Sequence, residues 1–142
     1  MNLVVVSDSV ESIQAYVAER ASRTAIENYG IPFAESKRTF AFVARDDADG
    51  PIRGALLMTM SGGVAALDEL VTEPTSRDEA AAALLRRFEE TASYQNCHKL
   101  CARVKRDGWT AEALAHAGFR IAAVVERHCF QFDFVDFQKW LA

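Results

Sequence analysis

The sequence predicts an α/β fold with a central, mixed and mostly antiparallel sheet flanked by helices. Three apolar stretches between residues 40 and 72 are joined by tight turns, as in an antiparallel meander. The stretch Leu67–Glu90 reads as a strand that runs through a proline-containing loop directly into a helix. A later strand is entered from that helix, which makes a parallel pairing expected as well. The sheet is therefore predicted to be mixed.

Length and composition favour a single soluble domain over residues 1–142. The chain has 142 residues, is 50% hydrophobic and 25% charged, and carries a net charge of −4. The negative charge argues against broad binding to nucleic-acid phosphates. No apolar run approaches the roughly 18–20 residues of a membrane span. The short apolar start does not resemble a signal peptide, and the odd number of cysteines indicates reduced thiols, so a cytoplasmic location is expected.

The N-terminal region predicts one strand and two helices. Asn2–Val6 is a short β-branched run, and Ser7–Ser9 supplies helix caps, with Asp8 and Glu11 at capping-box spacing. Apolar residues then recur at helical spacing to about Arg23. Thr24 and Glu27 repeat the capping-box spacing, which predicts a second short helix that ends at Gly30.

The meander is predicted from three strands and two turns. The strands are Phe40–Arg45, Ile52–Met60 and Val64–Thr72. The acidic, glycine- and proline-containing stretch Asp46–Pro51 separates the first two, and Gly62–Gly63 forms a hairpin turn between the second and third. In regular alternation, Leu67, Glu69 and Val71 would lie on one face of the last strand and Asp68, Leu70 and Thr72 on the other.

The helix after Pro74 has a distinctive start. Ser76 and Glu79 have capping-box spacing, and an apolar stripe follows at Ala81, Leu84, Leu85 and Phe88. A strand that feeds directly into a helix N-terminus leaves backbone amides that favour an anion such as phosphate. Two interpretations stay open. Either the amides face an anion, or Ser76 and Glu79 cap the helix and leave no anion site.

The C-terminal third continues the alternation of strands and helices. Phe130, Phe132 and Phe134 share one phase and are predicted to be core, whereas an exposed patch would indicate a homodimer. The predicted elements are a strand at His98–Val104, a helix capped by Asp107 or Thr110 that runs to His116 and stops at Gly118, a strand from Phe119 to about Val125, and a turn near Glu126–His128.

In this element order, and in three stretches, the chain resembles the GCN5-related N-acetyltransferases. The stretches are Leu67–Glu90, the helix-to-strand junction Ala111–Phe119, and the tail Arg127–Leu141. The resemblance covers nearly the whole chain and implies the acyl-CoA N-acyltransferase fold. It also implies acetyl-CoA as cosubstrate and an amine acceptor that attacks the thioester directly in a ternary complex.

The resemblance also assigns roles to residues. The family's phosphate loop, Arg/Gln-x-x-Gly-x-Gly/Ala, is similar to this chain from Arg77 to Ala82, with Ala80 at the first glycine position. Asp78 and Glu79 add negative charge at that helix start, where it would compete with phosphate. The residues implied to bind acetyl-CoA are Leu70, Val71, Thr72, Arg77, Asp78, Ala80, Ala82 and Asp107.

Two further positions concern catalysis. Glu69 lies on the strand where the family often carries its general base; the alternative is an ordinary carboxylate paired with a lysine or arginine. The family's leaving-group acid, a tyrosine four residues before Gly118, is replaced by Leu114, which is expected to be core. Tyr29 and Phe33 are implied to contact the acceptor, and Trp109 and Trp140 are further aromatic candidates that otherwise serve as core or interface.

Two functions from different classes therefore stay open. The first is acetyl transfer to an unidentified small-molecule amine or peptide, for which an acidic surface suits a cationic acceptor. The second is a catalytically degenerate module of the same fold that binds a ligand or forms dimers. No metal is expected, because Cys97, His98, Cys101, His128 and Cys129 fit no strong zinc spacing.

Overall fold

The structure is a computed structural model that describes residues 2–31 and 37–141. The chain divides into two compact units, Met1–Glu35 and Ser36–Ala142. The single domain over 1–142 stays a prediction.

The N-terminal unit is built on one helix, α1, over Val10–Tyr29. Ser9 is the N-cap, and its side chain accepts a hydrogen bond from the Ser12 backbone N–H at 3.1 Å. Gly30 ends the helix in the left-handed region, at φ 75°, as predicted. The predicted second helix at Thr24 is wrong, because no glycine or proline interrupts the backbone hydrogen bonds and α1 runs straight through.

The predicted strand at Asn2–Val6 is also wrong. These residues have no regular secondary structure and are exposed. A strand requires a hydrogen-bonding neighbour. Within Asn2–Ile31 the only regular element is α1, so this apolar run has no strand to pair with in its own unit.

The second unit contains a six-stranded sheet with strand order β1-β2-β3-β4-β6-β5. Four of its five pairings are antiparallel, and β3 and β4 pair in parallel. This confirms the predicted mixed, mostly antiparallel sheet. The strands are β1 (Arg38–Arg45), β2 (Ile52–Ser61), β3 (Val64–Thr72), β4 (Lys99–Lys105), β5 (Arg120–Val125) and β6 (Phe134–Trp140).

The β2–β3 hairpin has the predicted turn and an unpredicted bulge. Gly62 and Gly63 both have positive φ, 61° and 78°, which a two-residue hairpin turn favours. Further along, Leu57 pairs with Glu69 while Met58 pairs with Leu67, so Asp68 is an extra residue in β3.

The bulge changes which side chains of β3 face the core. Leu67 and Leu70 are both buried, whereas Asp68 and Glu69 between them are exposed. The predicted regular alternation along β3 is therefore wrong, because one bulged residue reverses the phase of every residue that follows it.

Two helices pack against one face of the sheet. A short 3₁₀ turn at Pro74–Ser76 leads into α2 (Arg77–Tyr94), and α3 (Trp109–His116) follows β4. Both contribute to a single core, in which Leu114 is fully buried as predicted. The largest fully buried side chains are Phe88, Leu56, Met58, Leu100, Leu114 and Val135.

The segment between β5 and β6 does not bury its aromatic residues as predicted. Phe130 is 91% exposed and Phe132 is 52% exposed, while Phe134 at the start of β6 is half-buried. A 3₁₀ turn at Cys129–Gln131, with Phe130 at φ 54°, breaks the alternation that would have placed all three on one face. The core prediction is wrong for Phe130 and Phe132.

Candidate active site

The central feature of the site is a separation of two parallel strands. β3 and β4 pair only over four residues each, Val64–Leu67 with Lys99–Ala102. Beyond these, β3 stays paired with β2, and β4 stays paired with β6. The carboxyl ends of the two strands therefore diverge, and α2 and α3 begin at that same end. Clefts at the carboxyl ends of diverging strands are common ligand sites.

The start of α2 lacks a side-chain cap. Ser76 occupies the N-cap position with φ −120° and ψ 17°, and its side chain makes no capping hydrogen bond. The predicted capping box is therefore wrong, since the 3₁₀ turn before α2 takes Ser76 out of the extended N-cap conformation. The first-turn amides of α2 are not occupied by a side-chain cap, and Asp78 and Glu79 are exposed beside them.

Arg77 lies at the mouth of the cleft and connects three elements. It is the first residue of α2, and its Nε donates a hydrogen bond to Thr72 Oγ1, at the end of β3, at 3.3 Å. Its guanidinium carbon lies 4.7 Å from the ring centroid of Trp109, the first residue of α3. Arg77 is half-buried. A positive charge is thus held between the ends of the two diverging strands.

A groove of about 500 Å³ lies between α2 and α3. Ala82 is exposed at its wall, whereas Ala80 is buried against the sheet. The methyl group of Ala80 therefore packs into the core. The lining residues are Arg77, Asp78, Ala81, Ala82, Leu85, Arg86, Glu89, Trp109, Glu112, Ala113, His116 and Ala117.

The start of α3 is likewise without a side-chain cap. Its N-cap is Gly108, so the predicted capping by Asp107 or Thr110 is wrong. Asp107 is exposed and has φ 63°, in the left-handed region, before the helix begins. Two helix N-termini without side-chain caps thus border one cleft.

The residues assigned to acetyl-CoA on β3 differ in accessibility. The Leu70 side chain is buried, so only its backbone is available to a ligand. Val71 is exposed and Thr72 is half-buried. On the side of β4, the backbone of β3 beyond Leu67 has no strand partner. A ligand in the cleft could therefore form backbone hydrogen bonds along this edge.

Glu69 is an exposed carboxylate at the point where the strands separate. Among the described residues its side chain forms no ion pair and no hydrogen bond, in contrast to a structurally paired carboxylate. Its neighbour Asp68 accepts a hydrogen bond from Thr59 Oγ1 at 2.5 Å. The bulge exposes both carboxylates, so Asp68 becomes a second candidate base that regular alternation did not indicate.

A second cavity, of about 520 Å³, borders β3, β4, β5 and β6 and includes Asp68, Cys101 and Asp136. Arg103 forms a two-pronged ion pair with Asp136, with Nε–Oδ1 2.6 Å and Nη2–Oδ2 3.0 Å. The hydrogen bonds from Arg103 hold the pKa of Asp136 below its ordinary value. Burial raises the pKa of the Cys101 thiol. Sequence reasoning did not identify this cavity, because strands distant in the chain form it.

The two predicted contacts of the acceptor, Tyr29 and Phe33, stay predictions. Tyr29 is the last residue of α1 in the N-terminal unit and is exposed. Phe33 lies outside the described residues.

Residues 2–31 and 37–141 contain neither a cluster of metal ligands nor a membrane-spanning helix. There, no three side chains of His, Cys, Asp or Glu gather as metal ligands. No helix in these residues is both long enough and apolar enough to span a bilayer. The three cysteines are free.

Solved structures resemble this chain over nearly its whole length. An acetyltransferase from Bacillus cereus superposes with a TM-score of 0.76 at 18% identity, covering 97% of this chain and 98% of that protein. The ribosomal-protein-S18-alanine N-acetyltransferase of Escherichia coli gives 0.63 at 15% identity, over 96% and 92% of the two chains.

A third structure extends the same similarity. The ribosomal-protein-alanine N-acetyltransferase of Brucella melitensis gives a TM-score of 0.61 at 16% identity, over 94% of this chain and 80% of that one. By sequence, no family model and no curated protein matches this chain. The strand order, the diverging β3–β4 pair and the similarity to these structures agree, and the chain has the fold of the GCN5-related N-acetyltransferases.

Proposed function

We propose that the protein is an acetyl-CoA-dependent N-acetyltransferase that transfers an acetyl group to an amine in a ternary complex. The observation that carries the proposal is the cleft between β3 and β4, bordered by the α2 start without a side-chain cap and by Arg77. This combination supplies an open cleft, backbone donors and a cation at one place.

The residues present suit the chemistry of acetyl-CoA. Its pyrophosphate is an anion, for which the first-turn amides of α2 and the Arg77 guanidinium are suitable donors. Its pantetheine arm carries amides, which suit the unpaired backbone edge of β3. Because Ala80 is buried toward the sheet, its methyl group leaves the outer side of the α2 start clear.

In this proposal Glu69 acts as the general base. Acetyl-CoA supplies an acetyl thioester, and the acceptor amine forms the new N–C bond as the C–S bond breaks. The Glu69 carboxylate accepts the amine proton, directly or through water. Asp68 is the alternative base, because the bulge exposes both carboxylates.

The leaving thiolate has no tyrosine available at the family's usual position. Leu114 occupies it and is fully buried in the core. We propose that solvent water supplies the proton, because a CoA thiolate is a sufficiently good leaving group to depart without a dedicated acid. The catalytic role of this position is therefore lost, and Leu114 serves in packing.

We propose a cationic small-molecule amine or a peptide amine as the acceptor class. Two of the similar structures belong to enzymes named as acetyltransferases of a ribosomal-protein alanine. The exposed carboxylates Asp68 and Glu69 at the point where the strands separate would attract a positively charged amine.

The alternative function is a binding module that retains the cleft without turnover. The buried Leu114 and the first-turn charges of Asp78 and Glu79 favour it. Such a protein would bind CoA and release no acetyl group.

The first test is calorimetric titration of the full chain with acetyl-CoA and with CoA, at low and moderate salt. Saturable binding is expected, and Arg77→Glu is expected to abolish it. Arg87→Glu is the matched control, because Arg87 is also on α2 and stacks on an aromatic ring, Phe42, at 5.2 Å. Absence of binding at millimolar acetyl-CoA would refute the proposal.

The second test measures turnover with a panel of small amines and N-terminal peptides, using mass spectrometry of the acetylated product. Glu69→Gln is expected to lower kcat by about 10²–10⁴-fold while the Kd for acetyl-CoA stays unchanged. Asp68→Asn distinguishes the alternative base, and Glu90→Gln serves as a neutral control. Binding of CoA without acetylation of any amine would favour the binding module.

A further inference from the structure

Arg77 is held by two contacts that leave most of its donors unused. Stacking on Trp109 occupies a face of the guanidinium plane, and the bond to Thr72 Oγ1 occupies Nε at the edge. The four N–H groups on Nη1 and Nη2 have no acceptor among the described residues. These donors lie in one plane and are spaced to bind two oxygens of a phosphate.

Two arginines of the sheet have their donors occupied. Arg53 and Arg103 direct their donors at carboxylates, Asp46 at 2.7 Å and Asp136 at 2.6 Å. Arg77 forms no ion pair with a described carboxylate, although Asp78 is adjacent in the sequence and Glu79 is two residues further on. In the described part of the chain no carboxylate lies within 4.0 Å of it. A half-buried cation with oriented and unpaired donors is suited to an anion from outside the chain.

The two residues that hold Arg77 are themselves firmly placed. Thr72 pairs with Gly54 at the end of the β2–β3 ladder. Trp109 is half-buried and packs against the core at the start of α3. The position of the guanidinium is therefore set from two sides before any ligand arrives, which lowers the entropy lost when it binds one.

We propose that Trp109 and Thr72 are positioning residues that hold the Arg77 guanidinium in place to bind a phosphate group of the acyl-CoA ligand. The proposal rests on the proposed function and adds the device by which this chain binds phosphate. A guanidinium held by an aromatic ring takes over part of the role of a glycine-rich backbone loop. Trp109 acts on the ligand through Arg77.

The test compares ligands with and without phosphate groups. Kd is measured for CoA, for pantetheine and for inorganic pyrophosphate, with wild type, Trp109→Leu, Trp109→Phe and Thr72→Val. Loss of the stacked ring in Trp109→Leu is expected to weaken CoA and pyrophosphate binding by about 2- to 30-fold. Trp109→Phe retains an aromatic ring, and its Kd values for CoA and pyrophosphate are expected to lie between those of wild type and Trp109→Leu. Pantetheine binding is expected to stay unchanged in every variant.

A matched control and a double-mutant cycle separate positioning from general damage. Trp140 is also a tryptophan with a cation over its ring, Lys99 at 5.3 Å, and Trp140→Leu is expected to leave CoA binding unchanged. In an Arg77→Ala background, Trp109→Leu is expected to have no further effect on Kd, because its target is absent. Circular dichroism identifies variants that fail to fold, in which case Trp109→Phe carries the comparison.

The outcomes separate the two proposals. If wild type binds CoA and Trp109→Leu binds it equally well, or if the losses add in the double mutant, the positioning role is overturned. If wild type fails to bind CoA, the proposed function is refuted. In that case, pyrophosphate binding that depends on both Arg77 and Trp109 would still support the positioning role of Trp109. Absence of pyrophosphate binding would overturn that role as well.

Discussion

Gly54 on β2 and Ala80 on α2 face each other where the helix packs on the sheet. A Cβ atom added to Gly54 would lie 3.3 Å from the Ala80 Cβ, 3.1 Å from Leu84 Cδ1 and 3.0 Å from the Val71 carbonyl oxygen. Only one methyl group fits between the helix and the strand at this point. Ala80 on the helix supplies it, and the strand has a glycine opposite. The acetyltransferase loop pattern places glycine at the helix position, whereas here glycine is in the strand opposite.

Gly54→Ala is predicted to destabilise the protein by roughly 1–3 kcal/mol, because the Val71 carbonyl and the Ala80 methyl cannot both retreat. The free energy of unfolding in urea measures this effect. Combining it with Ala80→Gly is expected to recover part of the loss, which a double-mutant cycle detects. A fully additive double mutant would show that the two positions do not compete for space.

Ala80→Gly alone is predicted to leave the affinity for acetyl-CoA within about twofold of wild type, since the Ala80 methyl is buried against the sheet. The same change is predicted to lower stability by about 1 kcal/mol, because glycine is a poor helix former. Calorimetry and urea unfolding measure the two quantities. A tenfold gain in affinity would show instead that the methyl obstructs the phosphate site.

Asp78→Asn and Glu79→Gln are each predicted to tighten acetyl-CoA binding by about 2- to 5-fold. Their exposed carboxylates lie in the first turn of α2, where an anion gains about 0.3–1 kcal/mol, so they compete with phosphate. The effect should shrink as salt rises. Glu90→Gln, far from the α2 start, is the control, and unchanged affinity in both first-turn variants would exclude an anion site there.

The three thiols are predicted to react at two different rates. Burial raises the pKa of the Cys97 and Cys101 thiols and keeps them protonated, whereas Cys129 is exposed. Titration with a chromogenic disulfide at pH 8 should show one fast thiol per chain and two slow ones. Cys129→Ser should remove the fast phase, and denaturant should expose all remaining thiols. A fast phase that survives in Cys129→Ser would contradict this assignment.

The Arg103–Asp136 pair is predicted to contribute stability that depends on pH. The hydrogen bonds from Arg103 lower the pKa of Asp136 in the folded state. Its contribution is therefore present above the unfolded-state pKa of about 4 and is lost as pH falls through the lower folded value. Asp136→Asn should be less stable than wild type at pH 7, and the difference should disappear toward pH 2. A constant difference would mean that packing, and not charge, is responsible.

The sequence was sufficient for the elements whose signals are local. Val64–Thr72 has the predicted bounds, Gly62–Gly63 forms the predicted turn, and the α2 stripe is buried as its spacing indicated. These features depend on residues that are close together in the sequence. The mixed sheet also followed, because a strand entered from a helix favours a parallel neighbour.

The errors arise where one residue changes the geometry of those after it. The Asp68 bulge reverses the facing of the rest of β3, and period-two reasoning assumes a regular ladder. The turn at Pro74–Ser76 removes Ser76 from capping geometry although its spacing to Glu79 is correct. The capping-box spacing of Thr24 and Glu27 likewise predicted a helix start that is absent from α1, because threonine and glutamate also occur inside a continuous helix.

The sequence indicated individual candidate residues and did not indicate how they are arranged. Arg77 and Glu69 were chosen from the strand–loop–helix pattern, and both lie at the cleft. The stacking of Arg77 on Trp109 joins residues separated by a helix and a strand, and only the packed structure brings them together. The cavity beside Asp136 was missed for the same reason.

The four-residue pairing of β3 with β4 also bears on how the sheet assembles. On one side of it β1, β2 and β3 pair as consecutive antiparallel strands, and on the other side β5 pairs with the next strand, β6, so these pairings form from short-range contacts. The two groups are joined by this short parallel pairing, by the hydrogen bond from the His98 N–H to the Gly63 carbonyl oxygen, and by the common core. The parallel pairing is the shortest ladder among the described strands, and it is therefore expected to open first. A ligand that spans it would bind the folded state alone and hold the two halves of the sheet together.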